Sequence, residues 1–360
     1  MKVNRCFILA PLKKILLFII GIIIVTIVFP VLLVGIGDNN DFMDNQYKNS
    51  DSSKYSIKPN DIIFDKSNSG GTIVKVYLTK EKKVIELSME EYVRGVIASE
   101  MPAVFDIEAL KAQTVAARTY AMAHIKGMGG TACSQSSGAD LCDTTHCQVY
   151  MSKDERLKQW PEKTAGVYWN KITEAVKETT GQILTYKGQL VKSPLYFSVS
   201  GGRTENSEEV FSSDVPYLKS VSSPGEEVAS SYKTTTTFTF LDIVSRVNRA
   251  YPKAKLTVAK IKSQIVIIDI STGGSIKKLK LGEINITGQQ FRELFNLKSA
   301  NFNFKYNSNS LEVTCIGYGH GVGMSQWGAN IMAQKGKSYL DILTHYYQGI
   351  EIKKVQDITL

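Results

Sequence analysis

Between Ile15 and Gly37 the chain runs for 23 residues, ILLFIIGIIIVTIVFPVLLVGIG, without a charge. A helix rising about 1.5 Å per residue crosses a hydrocarbon core of about 30 Å in that length. Pro30 is compatible with such a helix when neighbouring groups satisfy the freed carbonyl. Lys2, Arg5, Lys13 and Lys14 precede the run, and Asp38, Asp41 and Asp44 follow it. The positive-inside rule then puts the N-terminus in the cytoplasm and the remainder outside. A cleaved signal peptide is the competing reading. Its apolar region is about 7–15 residues long and ends at small residues, whereas this run is longer and GIGDNN lacks an A-x-A site. An uncleaved single-pass anchor is therefore expected.

The anchor also accounts for much of the charge. The chain has 360 residues and a net charge of +9, but beyond Gly37 it carries 34 acidic residues and a net charge of only +5. No basic stripe of the kind that binds nucleic acid is present, so no nucleic-acid partner is expected. With 43% apolar and 21% charged residues, the composition excludes a wholly disordered, collagen-like or polytopic chain. Four segments follow: a cytoplasmic tail (1–14), a transmembrane helix (15–37), a polar tether rich in Asn, Asp, Ser and Lys (38–60), and an extracytoplasmic domain (61–360).

Periodicity makes that domain α+β, with mixed helices and antiparallel strands and no βαβ repeat. Thr72–Leu78 and Val84–Leu87 read as paired strands. Ser88-Met-Glu-Glu91 reads as a capping box opening a helix that finishes near Glu100, before Pro102. Asp106 caps a second, Ala-rich helix to about Ile125. A Cys/Ser/Gly-rich loop runs to Gln148, and a helix near Ile172–Thr180 precedes the hairpin-like ILTYKGQLV. Strands at Leu195–Val199, Ile265–Ile270, Ile276–Ile286 and Leu311–Cys315 follow, with helices at Leu241–Tyr251, after Thr287-Gly-Gln-Gln290, near Ser325–Gln334 and at Tyr339–Tyr347.

Four places carry chemistry. Glu100 sits between an apolar helix end and a Pro turn, where desolvation would keep a carboxyl protonated as a general acid; the plain alternative is a solvated Glu. Arg118, among small residues, either is buried against a carboxylate or anionic ligand or extends along the helix surface into water. Cys142-Asp-Thr-Thr-His146-Cys147 offers the soft ligands zinc prefers, with Cys133, His124 or water for a remaining position; a disulfide is the alternative outside the membrane. Finally, Ser200-Gly201-Gly202, followed by Thr204, Glu205 and Asn206, pairs a sharp turn with sugar-type hydrogen-bonding groups, or is a plain turn. The run Gly317-Tyr-Gly-His-Gly-Val-Gly-Met-Ser-Gln-Trp-Gly328 has five Gly in twelve residues and matches neither a P-loop nor G-x-G-x-x-G. It reads as a cleft wall carrying His320, Ser325 and Gln326.

Five ordered segments together are similar to the stage II sporulation protein D family. They are GluGluTyrValArgGlyValIleAlaSerGluMetPro (90–102), AlaLeuLysAlaGlnThrValAlaAlaArgThrTyr (109–120), ThrHisCysGlnValTyr (145–150), SerGlyGlyArgThrGluAsn (200–206) and GlyHisGlyValGlyMetSerGlnTrpGlyAla (319–329). The resemblance implies a two-lobed domain around a central glycan-binding cleft, and a lytic transglycosylase acting on peptidoglycan during engulfment in sporulation. Its implied partners are glycan strands and stage II sporulation proteins P and M, with no organic cofactor. It also implies a catalytic acid/base at Glu100, with Arg118, Tyr217 and Lys219 as its companions. Arg118 and Lys219 would bind lactyl carboxylates, and Tyr217 would pack on a sugar face. Ser200, Gly201, Gly202, Thr204, Glu205, His320, Ser325 and Gln326 are the expected substrate-binding residues, and Cys142, Cys147, His146 and Cys133 the expected zinc ligands. Some metal-binding relatives carry a His between the positions of Cys133 and Cys142, where this chain has SerGlnSerSerGlyAlaAspLeu. Two other functions compete: a non-catalytic wall-binding amidase enhancer, and a hydrolase using Glu205 as a second carboxylate.

Overall fold

The computed structural model describes residues 71–135 and 138–358, together with 54–56, 58–59, 62 and 64. The expected tail, membrane span and most of the tether lie outside the described residues. Among those described, no helix is long and apolar enough to cross a membrane. The architecture is α+β.

Strands β1 (Ile73–Leu78) and β2 (Lys83–Ser88) pair antiparallel, Ile73 opposite Ser88. β3 (Leu141–Cys142) lies parallel to β1 on its other side. The alternation of β1 buries Val74 and Val76 completely and leaves Lys75 exposed, as one face of a half-covered sheet requires. Helix α1 (Met89–Glu100) starts at Ser88, whose Oγ accepts the Glu91 N–H at 3.3 Å. The expected capping box is only half formed, because the Glu91 carboxylate turns instead to Arg94 and to the Phe64 N–H. Phe64, Ile62 and Ser56 pack against the helical core rather than continuing a free tether. Arg94 donates to the Ile62 carbonyl, and Asn170 donates to the carbonyls of Ser56 and Lys58.

Helix α2 (Ile107–His124), capped by Asp106, is the hub. Its Ala109, Ala112, Ala116, Ala117 and Ala121 are buried around the whole circumference, which lets neighbouring helices approach closely. Around it lie α1, α4 (Glu162–Glu178) and the C-terminal helices α7 (Gln326–Gln334) and α8 (Tyr339–Tyr346). A polar helix, α3 (Lys153–Gln159), precedes α4. The sheet of β14 (Ile350–Lys354), β4 (Gln182–Tyr186) and β5 (Gln189–Leu190) completes this part, and β4–β5 is the expected hairpin.

Residues 233–316 form an inserted module with its own core. β7 (Lys233–Thr239) and β12 (Ser310–Ile316) pair so that Lys233 faces Ile316, and the chain therefore leaves and returns at one point. β11 (Phe302–Tyr306) joins β12. β8 (Ile265–Ile270), β9 (Ile276–Leu281) and β10 (Ile284–Ile286) form a second sheet. The single strand expected over Ile276–Ile286 is thus a hairpin, turned at Gly282 (φ +58°). Between the two sheets pack Phe240, Ile243 and Val247 of α5 (Phe240–Ala250) and Phe291 and Phe295 of α6 (Gly288–Phe295). Here the second expected capping box is complete: Thr287 and Gln290 exchange bonds.

Candidate active site

α1 stops at Glu100 because the residue before a proline is disfavoured in helical geometry, and Met101 is extended (φ −127°, ψ 138°). Glu100 Oε1 accepts the Val149 N–H at 2.6 Å. Its backbone carbonyl accepts the Gln326 side-chain amide at 3.0 Å. Burial raises the carboxyl above its ordinary range, outweighing the Val149 bond, which lowers it. Gln148 spans two phenols beside it: the Tyr92 hydroxyl donates to Oε1 at 3.2 Å and Nε2 donates to the Tyr196 hydroxyl at 3.0 Å.

Glu100 lines an open cavity of 590 Å³, with Tyr120, Gln148, Tyr196, Arg292 and Tyr318 among its walls. His146, Cys147, His320 and Gln326, all expected in the site, line it as well. One wall is built by the two-residue parallel pair β6 (Tyr196–Phe197) and β13 (Met324–Ser325), together with a bridge between Val199 and Tyr318. The expected strand Leu195–Val199 is ordered in this way by the Gly-rich run. Gly323, at φ +83°, allows the Leu195 carbonyl an approach that a Cβ would block. His320 accepts the Val322 N–H at 3.1 Å and is pushed down to about 4 by burial and by Arg292, so it is neutral at pH 7.

Several expected contact residues are structural instead. Arg118 is fully buried; its Nε donates to Glu90 Oε1 at 2.9 Å and its Nη1 to the Gln182 carbonyl at 3.0 Å. The ion pair staples α1 and α2 to β4, and Arg118 does not reach the cavity. Lys219 is held by Asp214 at 2.6 Å and Glu208 at 3.3 Å, also away from the cavity. Tyr217 packs on Tyr186 with ring centroids 5.5 Å apart, and its hydroxyl accepts the Ser193 N–H, supporting the Pro194–Leu195 wall from behind. Thr204 is buried and bonded to Val221. Glu205 is buried under a turn, accepting the N–H groups of Gly273 and Ser275, so it is not a second carboxylate of the cavity. Gly201 and Gly202 form the turn beside Asn301, where a side chain on Gly201 would press on the Asn301 amide.

Ser200 and Ser325 are linked by a residue that sequence reasoning missed. Glu226 is completely buried and accepts from the Ser200 N–H (2.7 Å), Ser325 Oγ (2.6 Å) and Ser223 Oγ (2.6 Å). Burial raises its carboxyl to about 7 in spite of those bonds. The knot ties the Ser200 turn to the N-terminus of α7, where Ser325 caps the helix through the Gly328 N–H. Nothing in ProGlyGluGlu marks this residue as buried. Tyr120, Gln148 and Tyr196 were within or beside quoted motifs; Arg292 had no signal beyond an amphipathic helix.

Cys133, Cys142, Cys147 and His146 bring three thiols and an imidazole within 4.8 Å of one another. All four described cysteines are free thiols; Cys142 and Cys147 approach to 3.5 Å, and Cys133 Sγ lies 3.1 Å from His146 Nδ1. Four convergent soft donors match a structural zinc set. His124 is not in the group, since its Nδ1 donates to the Tyr120 carbonyl at 2.7 Å.

The family model described as SpoIID, stage II sporulation protein, matches residues 77–186, the stretch that carries Glu100 and the Cys/His group. Over 281 residues the chain is 40% identical to stage II sporulation protein D of Bacillus subtilis (strain 168), covering 78% of this chain and 79% of that protein. The corresponding protein of Bacillus amyloliquefaciens is 39% identical over 281 residues, 78% of each chain. An amidase enhancer of Bacillus subtilis (strain 168) is 32% identical over 71% of this chain but only 39% of its own length. Identity at that level through more than three-quarters of both chains places this protein in the stage II sporulation protein D family.

Proposed function

We propose that this protein is a lytic transglycosylase that cleaves peptidoglycan glycan strands during sporulation, with Glu100 as its single acid/base. The observation that carries this reading is that Glu100 is the one carboxyl among the described residues lining the cavity, desolvated and unpaired with any cation. Protonated Glu100 donates to the glycosidic oxygen between N-acetylmuramic acid and N-acetylglucosamine as an oxocarbenium-like centre develops. The carboxylate then takes the proton of the sugar's own C6 hydroxyl, which closes a 1,6-anhydro ring. No water nucleophile enters, so no second carboxylate is needed.

In this reading the cavity is a glycan cleft between two lobes, the helical core and the 233–316 module. The Cys/His group holds zinc as a cross-link: Cys133, Cys142, His146 and Cys147 pin the loop that leads into Val149, whose N–H holds Glu100. When bound, the metal supplies structural rigidity there. The Ile15–Gly37 run anchors the protein in the cell membrane with its domain outside, and stage II sporulation proteins P and M are its partners.

The likeness to an amidase enhancer supports a second reading, a non-catalytic wall-binding module. Incubating the full-length chain, purified in detergent, with peptide-free glycan strands separates the two. Anhydro ends are expected; reducing ends would indicate a hydrolase, and uncleaved strands the binding module. Glu100→Gln is expected to lower cleavage by about 10²–10⁴-fold while strands still bind.

A further inference from the structure

The two cations first expected to meet the substrate's carboxylates are already neutralised, Arg118 by Glu90 and Lys219 by Asp214 and Glu208. Among the described residues lining the cavity, one side chain carries a permanent positive charge, Arg292. It is also the cavity's one contribution from the inserted 233–316 module. The module holds it firmly. The capping box of Thr287 and Gln290 sets the start of α6, and Phe291 and Phe295 bury the helix in the module core. Nε donates to the Leu297 carbonyl at 3.3 Å and Nη1 to Gln289 Oε1 at 3.2 Å. Nη2 donates to no acceptor among the described residues, and no carboxylate there pairs with the guanidinium. A planar fork fixed on one side, with its remaining donors unanswered, suits a carboxylate. Partial burial also pushes Arg292 below its ordinary value, the direction expected of a cation that lacks an anion.

We infer that Arg292 is the carboxylate-binding residue of the cleft, selecting glycan strands whose N-acetylmuramic acid carries a free lactyl carboxylate. This rests on the glycan-cleaving reading above and adds the substrate class to it. A strand with stem peptides attached has that carboxylate converted to an amide, which leaves the guanidinium without its counter-charge. The inserted module would then act as the element that distinguishes stripped strands from intact ones.

The test reads binding in the Glu100→Gln background, so that it does not depend on turnover. Full-length protein in detergent is titrated with peptide-free strands, with the same strands after conversion of lactyl carboxylates to methyl amides, and with strands retaining their peptides. Glu100→Gln protein is expected to bind the peptide-free strands at least tenfold more tightly than either of the others. Adding Arg292→Gln is expected to erase that preference while binding of the methyl-amide strands stays within about twofold; Arg292→Lys, which keeps charge but not the fork, is expected to retain part of it. Equal affinity of Glu100→Gln protein for all three strands, or an unchanged preference in Arg292→Gln, would overturn the inference. So would an equal loss on all strands in a variant with an unaltered near-ultraviolet circular dichroism spectrum and melting temperature. A wild-type protein that binds selectively but cleaves nothing would refute the transglycosylase reading alone.

Discussion

The backbone N–H of Val149 meets the carboxyl of Glu100 at 2.6 Å, across 49 residues of chain. It joins the end of a rigid helix to the exit of the Cys/His loop, so that the reactive group is held by two elements with different origins. A single neutral donor orients the carboxyl without offering the counter-charge that would keep it ionised.

A pH profile follows from that environment. Burial dominates the shift and raises Glu100, and a general acid works only while protonated. Activity is therefore expected to be full below the raised value and to fall as pH climbs through it. Measured as kcat/KM for release of anhydro ends, the alkaline limb should have its midpoint above the ordinary value of 4.5. A limb assigned to any other group would persist with a cavity lacking Glu100.

Removing metal should act on the same bond from the other side. With zinc in the Cys133, Cys142, His146 and Cys147 set, elemental analysis is expected to find one ion per chain. A chelator should then lower both melting temperature and cleavage, because the loop leading to Val149 loses its cross-link. Cys147→Ser is expected to mimic the chelator; a metal-free protein with two titratable thiols missing would indicate a disulfide.

Arg118 and Glu90 make a different prediction from the one that their place in the motifs suggests. Arg118→Ala leaves the Glu90 carboxylate buried without its partner, which costs about 3–5 kcal/mol. A melting temperature lower by roughly 10 °C is expected, with glycan affinity of the folded fraction unchanged. The paired replacement Glu90→Leu/Arg118→Met should recover much of the stability, since it removes both charges from the same buried space.

Glu226 gives a stability signature in pH. Its folded-state value, about 7, lies above the ordinary 4.5, so the native state binds the proton more tightly than the unfolded chain. That contribution is full below about 4.5 and is lost as pH rises through about 7. Unfolding midpoints from pH 4 to pH 8 are expected to decline for the wild type and to flatten in Glu226→Gln. Glu226→Ala strips the Ser200 N–H and the Ser325 and Ser223 hydroxyls of their shared acceptor. It should cost about 3 kcal/mol at every pH.

Local signals in the chain proved to be local structure. Ser88, Asp106 and Thr287 cap the helices that their spacing announced, Pro102 stops α1 at Glu100, and KG turns the β4–β5 hairpin. Helix α3 and the first half of α4 were not legible, because LysAspGluArgLeuLysGln has no apolar stripe of its own and is held by its capping box at Ser152. Among site residues, Glu100 and the Cys/His group could be found because each lies within a short stretch whose chemistry is complete.

Charge pairing was the part decided by tertiary structure. Arg118 and Glu90 are 28 residues apart, and Glu226 reaches Ser325 across 99. Nothing in spacing tells which acid will neutralise which base, because pairing follows from which surfaces pack together and lose water. The sequence by itself determined the helix ends, the soft-ligand cluster and the lone carboxyl before the proline. Only the packing of α1, α2 and β4 consumed Arg118, and only the insertion of the 233–316 module brought Arg292, unpaired, to the cavity that Glu100 lines.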